Sequence, residues 1–195
     1  MTFDNGATLG AAAADFLRRH LIRPGVRDGV ALEPGLTDAE FAEVEEGLGF
    51  EFADDHRALL AEVLPTGGSW PDWRSETLGT LRGQCDWPVD GVLFDVEENE
   101  FWHESWGVRP SDDGEAVECA KEHLATVPRM IPVFSHRCLP AGRGTFGNPV
   151  LSMYQTDIIY YGFDLLDYVA AEFYVRDPQR PWRTPKPIAF WDDLL

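Results

Sequence analysis

The stretch PVLSMYQTDIIYYGFDLLDYVAAEF, from Pro149 to Phe173, constrains the fold more than any other part of the chain. It reads as strand, short turn, strand, helix. Val150, Ser152 and Tyr154 fall on one face of an extended segment, and Leu151 and Met153 on the other. Gln155, Thr156 and Asp157 break the apolar run, where the chain reverses. Ile158, Ile159, Tyr160 and Tyr161 are β-branched or aromatic and suit a half-buried or fully buried strand. Gly162 ends that strand and Asp164 caps a helix, where Leu166, Val169, Ala170 and Phe173 at i, i+3, i+4 and i+7 make one apolar stripe. A hairpin followed at once by an amphipathic helix folds so that the helix covers a face of the sheet.

Two helical stretches precede it. In Ala11 to Leu21, Ala13, Leu17 and Leu21 share a face, and Pro24 and Gly25 stop the helix. Residues 23–34 are then a linker or a lone short strand. In Leu36 to Leu64, Thr37 and Glu40 form a capping-box pattern. Phe41, Val44 and Leu48 continue the helix, and Gly49 suits its C-cap. Phe50 and Phe52 bracket a corner. Asp54 or Asp55 then caps a second helix carrying Leu59, Leu60, Val63 and Leu64, which Pro65 closes.

The acidic helix ending in Leu48-Gly49-Phe50, the short second helix, the late strand Met130 to Phe134 with its Ile131-Pro132, and the hairpin and helix of Asn148 to Phe173 resemble, in that order, the SUKH superfamily of the SMI/KNR type. One position departs from the pattern: Ala53 stands where the family usually has proline. The middle, Leu64 to Arg129, resembles the tryptophan-rich elaboration of an actinobacterial-type subgroup. The resemblance implies an α+β fold, a largely antiparallel or mixed sheet covered by N-terminal and C-terminal helices. The SUKH-like domain would span residues 31–195, with an N-terminal helix and linker over 1–30. It also implies two roles: a bacterial immunity protein that neutralises a co-encoded toxin, often a nuclease, by direct binding, or a regulatory or scaffold protein related to fungal cell-wall-synthesis regulators, with no toxin partner.

Within the middle, Trp70, Trp73 and Trp87 fall among Pro, Gly and Asp and are expected to pin a loop region. Gly91 to Glu97 reads as a strand through Val92, Leu93 and Phe94, which would join the sheet. Ser111 to Val127 reads as a helix with Ala116, Ala120, Leu124 and Val127 inward. Met130 to Phe134 is a buried strand, His136 to Pro149 a Gly/Pro-rich loop, and Ile188 to Leu195 a docked tail.

Composition narrows the function. The 195 residues carry a formal charge of −18. Like charge repels nucleic acid and anionic membrane, so the expected partner is a basic protein. No apolar run reaches membrane-spanning length. The first residues lack a secretory pattern, and Cys85, Cys119 and Cys138 are too few for a disulfide framework, so a cytoplasmic chain with reduced thiols is expected.

Acids accumulate between Asp90 and Glu122, opposed only by Arg109 and Lys121, with Phe101, Trp102 and Trp106 interleaved. Such a surface grips a basic protein by steering charge and desolvated rings. Asp95, Glu97, Glu98, Glu100 and Glu104 are the expected steering groups, with Trp102 or Trp106 as anchor. The competing reading puts the tryptophans in the core and leaves the acids as solvated surface.

Other constellations are weaker. Gly142, Gly144 and Gly147 spell G-x-G-x-x-G, but the motif follows a proline and leads into a strand, the wrong context for a dinucleotide. Cys119 with His123, and His136 with Cys138, would make a zinc site if the pairs converged, although neither has the short Cys-x-x-Cys spacing. His103, His136, Asp157 and the acids near Glu104 are possible acid–base groups. The chain shows no nucleophile elbow, metalloprotease helix or phosphate loop. Asp157 reads better as a turn residue bonding nearby backbone, and Arg137 as a structural ion-pair partner. The sequence therefore points to a non-enzymatic binding module with no catalytic residues, metal or cofactor.

Overall fold

The computed structural model describes residues 3–21, 29–173 and 183–195. The Pro24–Gly25 helix stop lies outside them, as does the Pro- and Arg-rich stretch after Phe173 up to residue 182. Asn5 starts the first helix, α1 (Gly6–His20), earlier than the apolar spacing predicts: its side chain accepts from the Thr8 N–H at 2.9 Å. Leu9, Ala13, Ala14 and Leu17 are sealed where α1 lies on the helices Asp54–Glu62 and Leu165–Phe173. A Cβ on Gly10 would sit 2.3 Å from the Asp55 carbonyl oxygen, so only glycine allows the helices to approach this closely.

β1 (Ala31–Pro34) and β2 (Val63–Thr66) form a two-stranded antiparallel sheet flanking the helix–corner–helix unit. In α2 (Asp38–Leu48) the capping box is complete, and Gly49 closes the helix at φ 72°. α3 (Asp54–Glu62) is shorter than the sequence predicts. Val63 and Leu64 belong to β2, because the residue before a proline is driven out of the helical region. Ala53 holds the N-cap position without a side-chain bond. Asp54 and Asp55 instead accept from the Gly144 and Gly147 N–H groups at 2.9 and 2.8 Å. The three motif glycines are loop residues at positive φ; Gly144 and Gly147 are tied down on α3, and the Gly142 N–H donates to the Glu51 carbonyl at 2.8 Å.

The largest difference lies in the middle. Residues 78–98 form one helix, α4 (Leu78–Glu98), and Val92 is a helical core residue, not a strand residue. Leu81, Cys85, Pro88, Val92 and Val96 recur at spacings of 4, 3, 4 and 4, the stripe of a buried helix face. Pro88 and three glycines mask that stripe, and the Val92-Leu93-Phe94 run mimics a strand. Beyond it, a 3-10 turn (Glu104–Trp106) leads to α5 (Asp113–Leu124), with Ala116, Ala120 and Leu124 inward as expected.

β3 (Met130–Phe134), β4 (Arg137–Pro140), β5 (Val150–Tyr154) and β6 (Asp157–Gly162) form an antiparallel meander in chain order. β4 comes from a segment read as loop; its short Cys138-Leu139 core gives little alternation to detect. Both faces of this sheet are covered, which explains the unbroken apolar run of β3. Ile131, Val133, Leu139 and Val150 face the core shared with α1, α2, α3 and α6 (Leu165–Phe173). Met130, Cys138, Leu151, Met153 and Ile158 face a second core with α4, α5 and the C-terminal tail. On α6 the inward stripe is Leu165, Tyr168, Val169 and Phe173, one residue from the predicted register, while Asp164 caps the helix as expected by accepting from the Asp167 N–H at 2.9 Å. The tail docks through Ile188 and Trp191, whose indole donates to the Pro128 carbonyl at 2.8 Å. The result is one α+β domain.

Candidate partner-binding surface

The seven residues expected to bind a partner divide into interior and surface groups. Asp95 is buried on α4. Its Oδ2 accepts from the Thr156 N–H at 2.8 Å and the Thr156 hydroxyl at 2.6 Å, and its Oδ1 accepts from the Asn99 amide at 2.6 Å. Burial alone would raise its pKa, but these bonds outweigh burial and hold it below the ordinary carboxylate value. Asp95 is therefore a structural brace between α4 and the β5–β6 turn, not a steering charge. It does for that turn what the sequence assigns to Asp157, which is exposed. Trp106 is interior as well: its ring is stacked between His123 and Phe190 at 5.5 and 5.7 Å. It cannot anchor a partner.

Trp102 is half-buried, packed edge-on against Trp106 at 5.1 Å, with its indole N–H donating to the Gly107 carbonyl. Glu97, Glu98, Glu100 and Glu104 are exposed at and just beyond the C-terminal end of α4. There the helix stops through Asn99 and a left-handed Glu100 at φ 56°.

The aromatic surface lies elsewhere. Trp87, Phe94 and Tyr154 are 50%, 47% and 57% exposed. Trp87 and Phe94 project from one face of α4, seven residues apart, and Tyr154 ends β5 beside the hairpin turn. A hollow of about 490 Å³ lies on one side of Trp87 and Tyr154, with Ser69, Gln84, Ser135 and His136 in its wall. A second of about 210 Å³ lies on the other side, with Asp90, Phe94 and Gln155. The two share Trp87 and Tyr154, so they form one groove with these rings as its saddle. Gly91 lets α4 lie against the hairpin: a Cβ there would meet the Gln155 backbone at 2.9 Å. Sequence reading missed this groove because it placed Trp87 in a loop and Phe94 on a strand. The helical spacing of Gly83, Trp87, Gly91 and Phe94 is the signal that would have shown it.

The two histidines considered for acid–base work, His103 and His136, are each tied to neighbouring side chains. His103 Nδ1 accepts from the Ser105 N–H, which leaves the proton on Nε2, 3.6 Å from an Asp193 carboxylate oxygen. His136 touches the Ser135 hydroxyl at 3.1 Å through Nδ1 and an Arg137 N–H through Nε2. Arginine only donates, so Nε2 accepts and Nδ1–H points at Ser135. Burial and then Arg137 keep the imidazole below its ordinary pKa. A ring protonated on the side facing the serine cannot take that serine's proton. Arg137 has the structural role expected of it: it lies over the Tyr161 ring at 4.1 Å, donates to Ser152 at 2.9 Å and approaches Glu172 at 3.9 Å.

The four residues considered for zinc are used separately. Cys138 is sealed in the second core, Cys119 is a half-buried free thiol on α5, His123 stacks on Trp106, and His136 sits in the β3–β4 turn. Among the described residues no group of three or more His, Cys, Asp or Glu side chains is placed to hold a metal. Cys85 and Cys138 are free thiols raised by burial, Cys85 to about 12. No helix of the described residues is long and apolar enough to cross a membrane. Compared with protein-family models, curated proteins and solved structures, the chain matches none.

Proposed function

We propose that this chain is a non-enzymatic binding module of the immunity type, which neutralises a cationic toxin domain, such as a nuclease, by direct contact. One observation carries the reading: exposed aromatic rings and exposed carboxylates occupy the same helix. Trp87 and Phe94 offer rings on α4, and Glu97, Glu98 and Glu100 follow at its C-terminal end. Rings without charge would leave the partner's chemistry open, and acids without rings would be ordinary solvated surface. Together they supply steering and desolvated contact. The toxin as partner comes from the SUKH resemblance; the positive charge of that partner comes from the −18 balance of this chain.

The test is association kinetics with a cationic nuclease domain at low and high salt. Replacing Glu97, Glu98 and Glu100 by lysine is expected to slow association roughly tenfold or more at low salt and to flatten its salt dependence. Unchanged rates would remove these residues from the function. Salt-insensitive binding by the unaltered chain would remove steering altogether.

A further inference from the structure

We propose that the groove between α4 and the β5–β6 hairpin takes an arginine-bearing extended segment of the partner, with the guanidinium laid on the Trp87 indole and paired with Asp90. This rests on the protein-binding reading above and names the occupant of its surface. Two open hollows share the Trp87 and Tyr154 rings in their walls, so a chain laid across those rings would reach both. Gly83, one turn before Trp87, is exposed and leaves the helix surface low where a backbone would run, while Gly91, one turn after it, is taken up by the hairpin at Gln155. A Cβ on Gly83 would meet nothing within 4 Å.

Charge selects the occupant. Asp90 lines the smaller hollow and, among the described residues, forms no ion pair or hydrogen bond. Burial and the neighbouring Asp86 push its carboxyl upward, a penalty that an incoming cation would reverse. Asp86 is itself occupied by Arg129 at 2.9 Å. Exposed Glu97 and Glu98 extend the negative surface beyond Phe94. A second copy of this chain or a nucleic acid would bring like charge to that surface. Arginine fits better than lysine, because a planar guanidinium stacks on an indole and still bonds a carboxylate in its plane. At the far end, the Ser135 hydroxyl accepts from His136 and keeps its own proton to donate to a backbone carbonyl of the segment.

The experiment is a nuclear magnetic resonance titration of the full chain with a capped Gly/Ser peptide carrying one central arginine. Two matched peptides carry citrulline or lysine in its place. The arginine peptide is expected to shift the Trp87 indole N–H and the Gly91 and Gln155 amides saturably. Citrulline, which keeps the shape and loses the charge, is expected to bind roughly tenfold more weakly. Trp87→Ala and Asp90→Asn are each expected to cost roughly tenfold in affinity. Trp87 is half exposed and Asp90→Asn is nearly isosteric, so the spectrum itself reports that both variants stay folded. Equal binding of the citrulline peptide, or shifts confined to residues outside the groove, overturns the proposal. A cationic protein whose association depends on Glu97, Glu98 and Glu100 but not on Trp87 or Asp90 also overturns it, while leaving the proposed function standing. Arginine capture in the groove without salt-dependent binding of any cationic protein supports the groove and removes the function.

Discussion

Trp87 and Trp106 are nineteen positions apart and have opposite fates. Trp106 is 8% exposed between two aromatic rings, and Trp87 is 50% exposed on the outer face of α4. Trp106→Ala opens a cavity in the second core and is expected to cost about 3–5 kcal/mol. Trp87→Ala is expected to cost under about 1 kcal/mol. Urea unfolding of the two variants checks this, and similar losses would contradict the burial assigned here. A second residue-scale effect sits in the first turn of α3. Burial holds buried His56 down at about 3, from an ordinary 6.5. The folded protein thus binds fewer protons there than the unfolded chain, so this stability is complete above about pH 6.5 and is lost as pH falls toward about 3. Asp55 works the other way. Burial pushes it up to about 6 from 3.8, so its contribution is present below 3.8 and lost as pH rises through about 6. Relative to the unaltered protein, His56→Gln should therefore gain stability steadily as pH is lowered from about 6.5 to about 4. A pH-independent difference in urea midpoints would contradict it.

At the scale of elements, legibility followed local chemistry. The capping box of Thr37 and Glu40, the C-cap glycine at 49 and the chain reversal at Gln155 and Thr156 were readable, because each is written in a few adjacent residues. α6 was readable as a helix but one residue out of register, since Leu165, Leu166, Val169 and Ala170 offer two nearly equivalent stripes. α4 was not readable as a helix. Pro88 removes an N–H from its middle, and Gly79, Gly83 and Gly91 lower its propensity, so its stability comes from tertiary burial, with Leu81 and Cys85 in the first core and Val92 and Val96 in the second. Its glycines differ in purpose. Gly83→Ala meets nothing within 4 Å and is expected to stabilise by about 0.5–1 kcal/mol. Gly91→Ala runs into the Gln155 backbone and is expected to destabilise by about 1–3 kcal/mol. Thermal melts of the pair check this, and a stabilising Gly91→Ala would contradict the close approach of hairpin and helix.

For the molecule as a whole, the α+β class and the helix-covered hairpin of 149–173 were legible in the sequence, while the β4 strand of the meander and the candidate site were not. Glu97, Glu98, Glu100 and Glu104 are surface groups as expected, because a carboxylate without a partner stays in water. Asp95 breaks that rule because Thr156, sixty-one residues away in sequence, supplies two hydrogen bonds and Asn99 a third. The rings of the groove were misassigned for a similar reason: which tryptophan is covered depends on what the tail and the hairpin bring to it. Under the proposed function, the −18 charge of the chain and the rings of the groove act together on a cationic partner. Hydroxyl-radical footprinting of the aromatic side chains, for the free chain and the chain saturated with a cationic nuclease domain, tests this most directly. Trp87, Phe94 and Tyr154 are expected to be labelled when free and protected when bound, with Trp106 and Trp191 unlabelled throughout. Undiminished labelling of all three rings in a saturated complex would contradict the account.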